Sequence, residues 1–143
     1  MARFAMSVRT DRPAEEVFAY MADLSNFSEW DPGVSRSVQV TGRGAGVGAE
    51  YELDASGSTL RYAVEDYDAP KKMVATASNR FITSVDTITV DPEGGSCVVT
   101  YDADLLLNGP LKIGDPILKL VFNRIGEKAA GGLVAQLNGT RLS

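Results

Sequence analysis

Asp86 stands in the run Ile82-Thr83-Ser84-Val85-Asp86-Thr87-Ile88-Thr89-Val90, a carboxylate set among β-branched residues. Side chains on a strand alternate between two faces. If Ile82, Ile88 and Val90 face an interior, Asp86 faces it as well. A carboxylate held there is pushed toward its neutral form and can act as an acid or a base. The plainer reading is a bend or bulge that turns Asp86 to solvent. Tyr51, Tyr62 and Tyr101 lie in alternating segments of the same kind. A buried phenol wants a hydrogen-bond partner, which makes these three candidate polar anchors in an apolar pocket. Arg124, between Phe122 and Ile125, can meet a carboxylate at a pocket mouth, and its plainer reading is an exposed helical arginine.

The chain has no histidine. That excludes Ser-His-Asp and Cys-His nucleophilic machinery, His-ligated metals and His acid–base chemistry. No residues show metal-ligand spacing, and no cofactor is implied. The single cysteine, Cys97, cannot form an intrachain disulfide and reads as a small buried residue. Gly44-Ala45-Gly46-Val47-Gly48-Ala49 formally matches a dinucleotide fingerprint, but a strand pattern follows where that fingerprint must open a helix. It reads as a flexible hairpin loop. Asn26-Phe27-Ser28 and Asn138-Gly139-Thr140 match the glycosylation acceptor only by chance. Asp102 and Asp104 share one strand face and read as solvent-facing. The net charge of −5 argues against a nucleic-acid backbone or an anionic membrane surface as partner.

The elements that position these residues follow from periodicity. Phe4, Met6 and Val8 alternate as a first strand. Pro13 opens a helix with Glu15 and Glu16 in its first turn and Ala14, Val17, Phe18 and Met21 on its apolar face. A second short helix over Ser25 to Trp30 stops at Asp31-Pro32-Gly33. Six strands then follow: around Val38 and Val40, around Tyr51 and Leu53, around Leu60, Tyr62 and Val64, over Met73–Ala77, over Ile82–Val90, and over Cys97–Leu107. Tight turns between them imply antiparallel pairing, seven strands in all. Asp115-Pro116 begins a long helix that ends at Asn138-Gly139. Gly126, Gly131 and Gly132 within it suggest close approach to backbone, a bend, or room left for something else. The 143 residues suit one α+β domain, residues 1–143, with the helices on one face of a curled sheet. No signal-like segment opens the chain and no run is long enough to span a bilayer, so the cytoplasm is the expected compartment and stable membrane insertion is not expected.

Two segments carry a resemblance. Val8-Arg9-Thr10-Asp11-Arg12-Pro13-Ala14-Glu15-Glu16-Val17-Phe18-Ala19-Tyr20-Met21-Ala22-Asp23 resembles the opening of the START-like superfamily, and Phe27-Ser28-Glu29-Trp30-Asp31-Pro32-Gly33-Val34 is similar to its second-helix signature. The glycine-rich turn before Tyr51, the Tyr67-Asp68-Ala69-Pro70 step and the terminal helix fit as well. The nearest grouping is the polyketide cyclase/dehydrase and lipid transport one. The resemblance covers the whole chain and implies a helix-grip fold, a seven-stranded antiparallel sheet wrapped around a C-terminal helix. It also implies a partly hollow interior, and it transfers no catalytic motif.

The expected ligand-binding residues are Tyr51, Leu53, Leu60, Tyr62, Val64, Asp86, Val99, Tyr101 and Ala103 from the sheet, with Ile117, Val121, Phe122, Arg124 and Ile125 from the long helix. Trp30 is a candidate gate, and otherwise a core plug. Three functions compete. The first is a carrier of a small hydrophobic molecule such as a lipid, quinone or polyketide. The second is a cyclase or dehydratase working through Asp86 and the tyrosines. The third is a protein-interaction module using the outer sheet face. A homodimer is compatible with all three.

Overall fold

The computed structural model describes residues 2–55, 58–107 and 115–142, with the side chains of Ala2 and of residues 115–120 excepted. Strand β1, Ala2–Thr10, buries Phe4, Met6, Val8 and Thr10, all of one parity. Helix α1, Ala14–Ala22, buries Val17, Phe18, Met21 and Ala22. A single 3-10 turn, Leu24–Asn26, is capped by Asp23, whose side chain accepts from the Ser25 amide. It runs into helix α2, Phe27–Trp30. There Asp31 accepts from the Gly33 amide at 2.8 Å, a local bond that turns the chain out of the helix.

The strands β2 (Val34–Thr41), β3 (Glu50–Ala55), β4 (Ser58–Asp68), β5 (Lys72–Ser78), β6 (Ile82–Glu93) and β7 (Ser96–Leu107) follow as a meander. One antiparallel sheet results, ordered β2-β3-β4-β5-β6-β7-β1-β8. Register shifts between Val34 and Arg36, between Gln39 and Thr41, and between Val64 and Asp66 bend one half of it. They also explain one departure from strict alternation. Val34 and Ser37 are the buried residues of β2, and Val40 is exposed. On the outer face, Arg3–Asp102, Arg36–Glu52 and Arg61–Glu50 pair across strands. Asp104, by contrast, is half-buried, and its Oδ1 lacks a hydrogen-bond partner among the described residues.

Where seven strands are expected, the described residues form a sheet of eight. Strand β8, Thr140–Arg141, adds antiparallel to the free edge of β1. Two polar residues carry no period, so nothing in the sequence marked them. Helix α3, Asp115–Leu137, spans 23 residues, about 35 Å at 1.5 Å per residue. It lies along β1 and α2. Two of its glycines explain how closely. A Cβ at Gly126 would stand 2.4 Å from the Phe4 ring, and one at Gly132 would stand 1.8 Å from the Trp30 carbonyl oxygen. Gly131 has open space around it. The helix ends where expected, at Asn138 with φ 50°, and the Gly139 amide donates to the Val134 carbonyl at 3.0 Å.

Thr10, buried on β1, donates through Oγ1 to the Leu137 carbonyl at 2.8 Å. It therefore satisfies one of the carbonyls that a helix end leaves open. Thr10→Val keeps the shape and removes the donor. It is expected to lower stability by about 2 kcal/mol, read as a shift in the urea midpoint at constant slope. An unchanged midpoint would show that this bond contributes nothing.

Candidate functional site

The C-terminal half of α3 packs solidly, with Ala129, Ala130, Leu133 and Leu137 all buried. Its N-terminal half stands off the sheet, and a cavity of about 260 Å³ lies beneath it. Leu53, Ala55, Ser58, Leu60 and Tyr62 of β3 and β4 form one wall. Ile82, Ser84, Tyr101, Ala103 and Leu105 of β6 and β7 form the other. Val121, Phe122 and Ile125 roof it, while Phe27, Asp31 and Val34 close the base. The mouth faces the end where β3 turns into β4 and β6 begins, since Ser58 and Val121 are exposed there. The volume falls just below the ~300–1,000 Å³ usual for sites of drug-sized ligands.

Among the described residues the lining is apolar except for Ser58 at the mouth and the groups at the inner end. There β6 alternates without a bulge against either neighbour, so Ser84, Asp86, Ile88 and Val90 are all buried. The bulge that would turn Asp86 outward is absent, and Asp86 is 1% exposed. Three hydroxyls stand between its carboxylate and the cavity. Ser84 Oγ donates to Asp86 Oδ1 at 2.7 Å, and the Tyr101 hydroxyl donates to Oδ2. Tyr62 lies on β4, two strand spacings from β6, about 9.6 Å. It crosses the intervening β5 because Ala75 and Ala77 there are small. Its hydroxyl donates to Ser84 Oγ at 3.2 Å and reaches Asp86 Oδ1 at 3.4 Å.

Burial pushes the Asp86 carboxyl up to about 6, the three hydroxyl donors draw it back, and the charge of Asp31 adds to the upward push. Burial, and next the charge of Asp86, hold the Tyr62 and Tyr101 phenols well above their ordinary range. Asp31 is 8% exposed and is raised by burial, with the Gly33 amide opposing. Its Oδ2 has no hydrogen-bond partner among the described residues.

The expected site residues divide. Leu53, Leu60, Tyr62, Tyr101, Val121, Phe122 and Ile125 line the cavity, as does Ala103. Asp86 supports it from behind the hydroxyls. Val64 and Val99 are buried in the solid core away from it. Tyr51 is fully buried elsewhere, its hydroxyl unpartnered among the described residues and pushed up to about 12 by burial. Ile117 lies on α3, but its side chain falls outside the described residues. Arg124 is corrected: it is exposed and absent from the lining, turned about 100° of helical rotation away from Ile125. Trp30 is corrected as well. It is 2% exposed, lies 4.4 Å from the Phe27 ring and meets Tyr101 edge-on at 5.4 Å, which makes it a core plug rather than a gate.

Sequence reasoning missed Ser84 and Asp31 as site residues. Ser84 has the parity of Asp86 and was legible by the same alternation. Asp31 sat in a helix-breaking triplet, which masked its second role. A smaller hollow of about 230 Å³ lies between α1 and the end of α3, walled by Arg12, Glu16 and Gln136, and holds no buried polar cluster. Among the described residues no helix is long and apolar enough to cross a membrane.

The arrangement matches known folds along its whole length. A START superfamily protein from Mycobacterium smegmatis superposes with a TM-score of 0.77 at 16% identity, over 96% of this chain and 98% of that one. The protein XoxI from Bacillus cereus gives 0.72 at 19% identity, over 96% of each chain. A hypothetical protein from Helicobacter pylori gives 0.76 at 11% identity, over 94% of this chain and 87% of that one. No protein of curated function matches the sequence. At these identities the likeness establishes the START-like helix-grip fold and nothing finer. The model of the polyketide cyclase/dehydrase and lipid transport family matches residues 1–138, and the chain belongs to that family.

Proposed function

We propose that this protein binds a small hydrophobic molecule between sheet and α3 and holds it without transforming it. The observation that carries this reading is the cavity itself, with its largely apolar walls and its polar inner end among the described residues. The family, which unites cyclases, dehydrases and lipid transporters, supports a hydrophobic ligand. Burial of apolar ligand surface drives binding, and the few polar groups orient the guest.

A cyclase or dehydratase remains the second reading, favoured by one observation: a buried carboxyl near 6 suits a general base. Enolising a polyketide also needs donors aimed at the developing oxyanion. The hydroxyl hydrogens of Ser84, Tyr101 and Tyr62 are turned within the cluster instead. The interaction-module reading loses its footing because the interior is hollow and the outer face carries cross-strand ion pairs.

Native mass spectrometry of freshly purified protein should show a ligand adduct, and a panel of lipids, quinones and polyketide-like aromatics should contain compounds that raise Tm. Ala103 projects into the cavity opposite Asp86 on β7. Ala103→Leu is expected to fill that space, leave the fold intact and abolish the response. If wild type and Ala103→Leu respond alike, ligand does not occupy this cavity.

A further inference from the structure

We infer that the cavity selects, among small apolar molecules, those that carry a protonated amine, with Asp31 as the contacting carboxylate and Asp86 as the charge behind it. This rests on the binding reading above.

The first support is a hydrogen-bond inventory. Ser84, Tyr62 and Tyr101 direct their hydrogens at Asp86 or at one another. Towards the cavity they offer lone pairs. Asp31, 8% exposed as a residue, lines the cavity and leaves Oδ2 without a hydrogen-bond partner among the described residues. The inner end therefore presents acceptors, and a guest must bring donors.

The second support is charge. The groups around Asp86 are Ser84 on its own strand, Tyr101 and Ala103 on β7, Ala75 and Ala77 on β5, Tyr62 on β4, and Asp31 after α2. None is a cation. Among the described residues no lysine or arginine is in the lining, and Arg124 is exposed. Among the described residues the two carboxylates thus share the inner end of the cavity with no counter-charge: hydroxyls and the Gly33 amide offset part of their desolvation, and no cation offsets the rest. A bound ammonium supplies the missing charge. An alcohol supplies a donor only, and a carboxylic acid brings a third negative group.

The third support is size. A volume of about 260 Å³ suits a fused two-ring body better than a long acyl chain.

The test uses the full chain and three matched probes: naphthylmethylamine, naphthylmethanol and naphthoic acid. Calorimetric titration at pH 7.5 is expected to rank them amine, alcohol, acid, with the amine at least tenfold tighter than the acid. Asp31→Asn should reduce the amine's advantage over the alcohol several-fold and leave alcohol binding nearly unchanged. Asp86→Asn should do the same to a lesser degree, with circular dichroism confirming that both variants fold. Amine affinity should fall as pH drops through about 6, where Asp86 takes up a proton. Should the alcohol or the acid bind as tightly as the amine, or should Asp31→Asn leave the ranking intact, the amine inference is overturned and the binding reading stands. Should none of the three bind, and the wider panel also fail, both are overturned.

Discussion

Gly132→Ala is expected to lower Tm by roughly 7 °C, while Gly131→Ala, one residue earlier, raises it. A methyl at 132 would stand 1.8 Å from the Trp30 carbonyl oxygen and 3.5 Å from the Pro32 ring. The first distance is impossible, and the atom that must yield is backbone. Either α3 lifts from α2 or α2 moves with Trp30, whose ring is packed between Phe27 and Tyr101. Overpacking of this kind costs about 3 kcal/mol, against which the ~1 kcal/mol gain in helix propensity counts little. For a chain of this length each kcal/mol is roughly 3–4 °C in Tm. At 131 the methyl meets nothing within 4 Å, so only the propensity gain remains. Lifting α3 also raises the roof formed by Val121, Phe122 and Ile125, so Gly132→Ala should weaken ligand binding as well. Scanning calorimetry of the two variants decides it. Equal and small shifts in both would show that α3 does not approach α2 as closely as described.

The same three glycines mark how far the sequence could be read. Periodicity located every long element, because burial on one face imposes a period on ten or more residues at once. It located Gly126, Gly131 and Gly132 in a helix but could not say which of them touched anything. That depends on the rotation of α3 against two other elements, and only packing sets that rotation. Arg124 failed for the same reason: it stands among the lining residues in sequence, and the rotation of α3 leaves its side chain exposed. Asp86 was legible through parity, since β6 runs without a bulge. Tyr51 shares the inward parity of Leu53 yet ends in solid core, because parity names a face of the sheet and not the place along it where the cavity lies. The Tyr62 contact with Ser84 spans a whole strand and needs small residues at Ala75 and Ala77. No local pattern announces a bond between strands that do not pair.

The reach of that cluster is clearest in how stability should vary with pH. Asp86 has an ordinary carboxyl value of 3.8 and about 6 in the folded chain, raised chiefly by burial. Between those values the folded protein holds a proton that the unfolded chain has released. The contribution to stability is therefore complete below pH 3.8 and is lost as pH rises through 6. A rise of about two units corresponds to about 3 kcal/mol at 1.36 kcal/mol per unit. Other carboxylates titrate in the same range, so the comparison is with Asp86→Asn, which has no proton to lose and shares the rest. The stability of Asp86→Asn relative to wild type should rise by about 2 kcal/mol from pH 4 to pH 7.5, read by urea denaturation at each pH. A constant offset from the altered bonds to Ser84 and Tyr101 shifts the difference curve without tilting it. Tyr101→Phe supplies the converse. Losing a donor to the carboxylate raises the folded value further, so the stability of Tyr101→Phe relative to wild type should fall as pH rises past 6. Parallel pH curves for wild type and Asp86→Asn would mean that Asp86 is solvated, and the polar end of the cavity would then be open to water instead of sealed behind three hydroxyls.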